Sequence, residues 1–113
     1  MPYKKLTHLD IDKNLHIKNN INLPGVIMCH QKSCSHCVTT MPILKELSKN
    51  NNLVVYSAEC SGKNFDILDL LEISYVPHIR YVSPDGRIYK TPYKGKMTKT
   101  ELKKYIFSKI KKK

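Results

Sequence analysis

The sequence predicts a small α/β protein in which helices cover both faces of a central mixed sheet. Short apolar or β-branched runs alternate along the chain with segments whose apolar residues recur at helical spacing. The early runs are separated by helices and therefore belong to parallel strands, whereas a tight turn joins the last two and makes them antiparallel. A length of 113 residues fits one domain, residues 1–113, with a single core.

The N-terminal part, residues 1–22, carries the least distinct pattern. Residues 6–11, "LTHLDI", fit a strand with weak alternation, and residues 12–24 fit either a short helix or a second strand. The pattern becomes sharper after Pro24. The apolar run "GVIMC" is bounded by Pro-Gly, which predicts a strand buried on both faces.

A helix is predicted after this strand, ending near Ser48, because apolar residues recur at helical spacing from Val38 onward. Pro42 lies inside it and lacks the N–H that a helix interior needs, so we expect a kink there. Three asparagines then break the chain. The remaining predicted elements are a strand at 53–57, a short helix from Phe65 to Ile73, a strand at 78–82, a turn "SPDG", its hairpin partner "RIYKT", and a closing helix with a capping box of Thr98 and Glu101.

The net charge of +11 comes mostly from lysines, nine of which lie from Lys94 onward and include the basic tail 111–113. Such a charge could attract nucleic acid, but no recognition motif or aromatic interleaving accompanies it, so we favour a solvated surface.

No apolar run approaches the roughly 20 residues that cross a bilayer. The basic start is followed by no apolar segment, so we see no signal peptide and expect a cytoplasmic monomer; a virion or another compartment stays open.

The segment "HQKSCSHCVTTMP" places two cysteines at the junction of the first buried strand and its helix. The first turn of a helix offers free backbone N–H groups and the positive end of the helix dipole, and both stabilise a thiolate. Cys34 is therefore the predicted attacking thiolate. Cys37 lies one turn further along the same helical face and is expected to be more buried, which suits a resolving thiol. His36, between them, would add a second stabiliser.

A metal site is the competing interpretation, with Cys29, Cys34, Cys37 and either His30 or His36 as ligands. Structural zinc takes four ligands from separate turns, and this chain has no second CxxC. We therefore favour a redox pair. The other two cysteines, Cys29 and Cys60, lie in apolar or strand-like surroundings typical of plain buried thiols. His78 is open to two interpretations, as a group beside the dithiol or as a surface histidine.

The layout resembles the thioredoxin family over roughly Leu23 to Ile110. A strand leads to a CxxC at a helix start, which on a βαβ pattern is the recognised signal of that fold. The other matching positions follow in order: Pro42, Val76-Pro77, Gly86 and Gly95. The resemblance implies that Pro77 follows a cis peptide bond and faces the active site. It also implies that the backbone of Val76 pairs with a substrate chain.

Three departures from the family pattern stand beside the match. Ser33 occupies the position of the tryptophan before the first cysteine. Met28 occupies the position of a buried acid that assists the second cysteine; because methionine cannot take a proton, we do not expect fast reduction of the thioredoxin kind. Ser35-His36 replaces Gly-Pro, and a histidine there is carried by protein disulfide isomerases and by the bacterial periplasmic oxidase. That similarity implies a disulfide that is a better oxidant than that of thioredoxin.

The sequence thus predicts a thiol–disulfide oxidoreductase that acts on protein disulfides or dithiols. Its catalytic residues would be Cys34, Cys37 and His36, and its substrate-binding residues would be Ser33, Ser35, Val76 and Pro77. We expect no cofactor and no metal, and a thiol-redox recycling partner whose identity the sequence does not give. The alternatives are a zinc-binding module and a redox-inactive, partner-binding module of the same fold.

Overall fold

A computed structural model describes residues 3–111 and shows a five-stranded sheet with three helices. Of the predicted basic tail, Lys112 and Lys113 lie outside the described residues. Two short 3-10 helices, His8–Asp10 and Gly62–Phe65, occur in the connections. The main elements in chain order are β1 (Tyr3–Leu6), β2 (Gly25–His30), α1 (Ser35–Asn51), β3 (Val54–Glu59), α2 (Asp66–Leu70), β4 (His78–Val82), β5 (Ile88–Pro92) and α3 (Lys99–Lys111).

The sheet is mixed, as the sequence predicts, with strand order β1-β3-β2-β4-β5. β3 pairs in parallel with both β1 and β2, because α1 carries the chain back between β2 and β3. β4 runs antiparallel to both β2 and β5. β2, which leads into the CxxC segment, is therefore the central strand.

Alternate residues of β2 supply two separate hydrophobic clusters, one on each face of the sheet. Val26 and Met28 pack with buried residues of α1 and α3 on one face, which we call the α1 face. Ile27 and Cys29 pack on the opposite face, the α2 face, with Ile67 of α2. This distribution confirms the predicted layers. The position of a residue in β2 therefore determines on which face of the sheet its side chain lies.

The helix ends differ from the prediction where an asparagine or a glutamate adopts a left-handed conformation. α1 continues past Ser48 to Asn51, and Asn52 (φ 53°) ends it while its N–H donates to the carbonyl oxygen of Ser48. α2 is shorter than the predicted Phe65–Ile73 because Glu72 (φ 55°) turns the chain soon after Leu70. α3 begins beside Thr98, whose hydroxyl oxygen accepts the N–H of Glu101 at 3.3 Å.

The N-terminal predictions are wrong in their positions. The strand is Tyr3–Leu6 rather than residues 6–11, and Thr7 then caps the 3-10 helix, in a capping box with Asp10. Residues 12–24 form neither a helix nor a regular strand; they make only isolated bridges, such as Ile11 with Ile17. No helix within residues 3–111 is long and apolar enough to cross a membrane.

Candidate functional site: a CxxC at the start of α1

The CxxC segment lies where the central strand β2 passes through a short loop into α1. Cys34 is the N-cap residue of α1, with an extended backbone (φ −87°, ψ 103°). Its carbonyl oxygen accepts the N–H of Val38 at 3.3 Å, the first bond of the helix. The local fold therefore puts Cys34 in front of the free N–H groups of the first helical turn.

Cys34 and Cys37 form a disulfide, with Cα atoms 5.3 Å apart. The backbone N–H of Cys37 donates to Sγ of Cys34 at 3.1 Å. Cys34 is half-buried, whereas Cys37 is 4% exposed and packs in the core of the α1 face. An incoming thiolate thus meets the sulfur of Cys34 first, in agreement with the expected difference in burial.

The residues around the disulfide are mostly solvent-exposed. Ser33, Ser35 and His36 are all exposed. Among the described residues, the ring of His36 has no hydrogen-bond partner, although its carbonyl oxygen accepts the hydroxyl groups of Thr39 and Thr40. No hydrogen bond within the described residues therefore joins the His36 ring to Cys34 in the disulfide form.

The Val76-Pro77 peptide bond is cis, as the resemblance implies. Pro77 is buried, and the half-buried Val76 packs against the same cluster that contains the two cysteines. A shallow groove of about 120 Å³ adjoins Val76 and also involves Gln31 at the start of the CxxC loop. Its remaining lining residues are Leu68, Ile73, Ser74 and Tyr75.

The inner side of the disulfide is apolar. Met28, at the position where the resemblance places an acid, is fully buried in the same cluster as Cys37. Ser57 lies opposite Met28 in the parallel pairing of β2 and β3. Its hydroxyl is in a 2.8 Å hydrogen bond with the hydroxyl of Tyr3. The site therefore has hydroxyl groups, and no carboxylate, at this point of the strand pair.

The proposed four-ligand metal set does not come together. Cys29 belongs to the α2 face, whereas Cys37 belongs to the α1 face, so the sheet separates them. Within residues 3–111, no three histidine, cysteine or acidic side chains are placed to hold an ion. His30 is half-buried, and that burial lowers the pKa of its ring below the usual value.

His78 is buried, so its interpretation as a surface histidine is wrong. It lies directly opposite Cys29 in the β2–β4 pairing, and its ring stacks at a tilt on Tyr75 with centroids 5.3 Å apart. Nε2 accepts a hydrogen bond from Nε of Arg80 at 3.0 Å. Burial, with the Arg80 charge as a second cause, lowers the pKa of His78 to about 4.

This histidine should make the protein less stable as the pH falls. Unfolded His78 takes up a proton below pH 6.5, whereas the folded side chain resists protonation down to about pH 4. Stability present above pH 6.5 is therefore lost on acidification, by about 2 kcal/mol between pH 7.5 and 5. Urea unfolding at both pH values should show a smaller pH-dependent loss for His78→Gln. An equal loss in both proteins would contradict the assignment.

Comparison with known proteins identifies the fold. No family model matches the sequence, and no curated protein sequence matches it. Among solved structures, thioredoxin f2 of Chlamydomonas reinhardtii superposes with a TM-score of 0.77 at 16% identity, covering 98% of this chain and 99% of that one. Oxidised thioredoxin O2 of Arabidopsis thaliana gives 0.68 at 18% identity, covering 94% and 92%.

The zinc-bound form of human ERp44 is also similar, with a TM-score of 0.73 at 22% identity. The match covers 94% of this chain but 30% of that larger protein. In this chain, the cis peptide bond before Pro77 and the Cys34–Cys37 pair at the start of α1 are the features that the sequence resemblance implies. The chain is a thioredoxin-fold protein that carries a CxxC disulfide.

Proposed function

We propose that the protein is a thiol–disulfide oxidoreductase that exchanges the Cys34–Cys37 disulfide with protein substrates. The observation that carries the proposal is the asymmetry of the pair: Cys34 caps α1 and is half-buried, whereas Cys37 is buried one turn behind it. In the reduced protein, the N–H of Cys37 and the helix dipole both favour a thiolate at Cys34.

The exchange would proceed through a mixed disulfide. The Cys34 thiolate attacks a substrate disulfide, one substrate sulfur leaves, and Cys37 then attacks Cys34 to release the other. Val76 packs against the cluster that contains both cysteines and precedes the cis bond to Pro77, and Ser33 and Ser35 flank Cys34 in the chain. We propose these four residues as the substrate-binding residues. A recycling partner would restore the starting redox state.

Catalysis of insulin reduction by dithiothreitol tests the proposal directly. The wild-type protein should shorten the lag before insulin precipitates, at a catalytic amount of protein. A redox-inactive, partner-binding module would leave the lag unchanged, and that result would contradict the proposed oxidoreductase activity. Zinc that remains bound at one ion per chain after dialysis would favour the structural-metal alternative.

We further propose that the pair is more oxidising than thioredoxin, because His36 stabilises the reduced Cys34 thiolate. Such dithiols span potentials from about −270 mV to about −120 mV. His36→Pro should make the potential more negative by about 30 mV, which corresponds to about 1.4 kcal/mol. Equilibration with glutathione measures this shift. His36→Ala is the matched control for proline itself and should shift the potential in the same direction. No change in the potential, or a shift in the oxidising direction, would rule out the role of His36.

A further inference from the structure

The large apolar side chains that this protein exposes lie at the end of the sheet that carries the CxxC. Within residues 3–111, they are Leu9, Val38, Phe65 and Tyr75. The segments of Leu9 and Phe65 follow β1 and β3, which run parallel to β2, and Tyr75 precedes β4, which runs antiparallel to β2. Val38 lies near the start of α1. All four therefore lie at the carboxyl end of β2, where the disulfide is.

Leu9 and Phe65 belong to one patch, because the two 3-10 helices that carry them are joined by hydrogen bonds. The N–H of His8 donates to Oδ1 of Asn64 at 2.9 Å, and Nδ1 of the His8 ring lies 3.0 Å from the same oxygen. Leu9 and Phe65, the residues that follow these two, are 69% and 55% exposed. Large apolar side chains exposed in adjoining segments are typical of a surface that binds a partner.

This patch continues into the groove beside Val76. Phe65 is the N-cap residue of α2, and its backbone is already helical (φ −59°, ψ −27°). Leu68, three positions later, lies on the same side of the helical turn and lines the groove. Tyr75 also lines the groove and is 46% exposed. We call the resulting surface the apolar strip; it consists of Leu9, Phe65, Leu68, Ile73 and Tyr75.

Carboxylates border the apolar strip along α2. Asp66 and Asp69 each follow a residue of the strip in the chain, so they form the neighbouring row on the helix surface. These two and Glu72 are exposed, and the single lysine of residues 61–73, Lys63, does not balance them. Within the described part of the chain, both ion pairs are made by lysines of α3, and neither includes a border carboxylate. The strip thus has an acidic border on an otherwise basic protein.

We propose that the apolar strip binds an extended segment of the protein substrate that carries an apolar residue flanked by basic residues. This binding rests on the disulfide exchange proposed above for Cys34 and Cys37. The apolar residue of the segment covers the strip, and its lysines or arginines lie against the acidic border. Because the strip is continuous with the groove beside Val76, a substrate chain held at the CxxC extends onto it.

The charges favour this occupant over two others. A bilayer that contains anionic lipids would be repelled by Asp66 and Asp69 beside the strip. A second copy of the chain would bring a net charge of +11 against an equal charge, which opposes association. An extended segment with basic residues meets neither obstacle.

The order of the strands gives the expected spacing within the substrate. Cys34 follows β2, and Leu9 follows β1, with β3 between these two strands. At roughly 4.8 Å between neighbouring strands, the patch of Leu9 and Phe65 lies about 10 Å across the sheet from the CxxC. Since an extended chain covers about 3.3 Å per residue, the apolar residue should lie about three positions from the substrate cysteine.

Peptides that differ at this position test the proposal. Each carries one cysteine in a mixed disulfide with thionitrobenzoate; the Cys34 thiolate of the reduced protein attacks the peptide sulfur, and thionitrobenzoate leaves with the electron pair and is measured by its absorbance. Each rate constant is divided by that of glutathione with the same peptide, to remove differences in intrinsic reactivity. Phenylalanine at this position, on the side of the cysteine that reaches the strip, should give a rate about tenfold above that with serine, because the strip partly buries the ring.

A change at Phe65 tests which surface produces this preference. Phe65→Ser should bring the ratio of the rates for the phenylalanine and serine peptides close to one. The matched control is Phe107→Ser in α3, which changes the other phenylalanine of the chain and should keep the ratio. If the two variants keep the same ratio, the strip does not bind the substrate.

Peptides with lysine or glutamate beside the phenylalanine test the acidic border. The lysine peptide should react faster, and high salt should weaken this preference. Asp66→Asn combined with Asp69→Asn should abolish it. Glu46→Gln combined with Glu101→Gln removes the same charge from α1 and α3 and should keep it. An equal preference in both double variants would overturn the role of the border.

The same measurements separate this binding from the exchange on which it rests. If every peptide reacts at one relative rate, well above the rate with the Cys34→Ser protein, the exchange stands and the binding by the strip is wrong. If no peptide reacts faster with the wild type than with Cys34→Ser, the exchange itself is wrong and the strip has no substrate to bind. A dimer in sedimentation that Phe65→Ser dissociates would assign the strip to a second copy of the chain and overturn the proposal.

Discussion

Replacing Cys34 by serine should return the rate of insulin reduction to that of dithiothreitol alone. The expected loss is complete because the thiolate is the nucleophile in disulfide exchange, and a serine hydroxyl neither ionises near neutral pH nor forms a disulfide. Cys34 is the half-buried sulfur at the helix start, whereas Cys37 is buried behind it. The remaining thiol therefore cannot take over the attack on a large substrate.

The matched control is Cys60→Ser, which removes a thiol on the opposite face of the sheet. This variant should retain the wild-type rate of insulin reduction at neutral pH. Far-UV circular dichroism and a thermal melt establish that both variants fold. Activity of the Cys34→Ser protein equal to that of the wild type would show that another group is the nucleophile.

The elements that the sequence predicts well are those whose own residues carry the pattern that indicates them. The β4 strand occupies residues 78–82 as predicted, and Gly25–His30 contains the predicted apolar run. The β1 strand was misplaced because its partner, β3, lies about fifty residues further along the chain. Pairing at that distance is a tertiary effect, and four residues with weak alternation do not indicate it.

The α2 face of β4 shows a second limit of sequence patterns. His78 and Arg80 alternate with apolar residues, which normally indicates a strand with one side in solvent. All five residues of β4 are buried, because the segment around Leu71 covers this side and accepts a hydrogen bond from Arg80. The alternating pattern around Arg80 does not indicate that its hydrogen-bond partners will be a backbone carbonyl and a histidine.

The CxxC site could be placed from the sequence because its parts are local. A strand, two cysteines three positions apart and a helix start determine where the sulfurs lie. The cis bond before Pro77 followed from the resemblance rather than from any local preference. The burial of His78 opposite Cys29 was not predicted, since it depends on β2 and β4 meeting side by side.

Replacing Cys37 by serine should make the protein accumulate covalent adducts with its substrates. The Cys34 thiolate still attacks a substrate disulfide and forms the mixed disulfide. Release normally requires Cys37. Its Cα lies 5.3 Å from the Cα of Cys34, and the two sulfurs are bonded to each other in the oxidised protein. Serine has no thiol with which to attack, so the adduct should persist and appear as a slower band on a non-reducing gel.

The comparison that decides the division of labour is Cys34→Ser after the same incubation with an oxidised protein substrate. Its remaining site thiol, Cys37, is 4% exposed and should form far fewer adducts. Cys29 and Cys60 cannot release the adduct, because they lie on the other face of the sheet. Changing both to alanine in the Cys37→Ser protein should therefore leave the amount of adduct unchanged.

Equal trapping by Cys34→Ser and Cys37→Ser would show that burial does not select the attacking sulfur. If the Cys37→Ser protein traps nothing even without the two buried thiols, the mechanism with an attacking and a resolving cysteine is wrong for this protein.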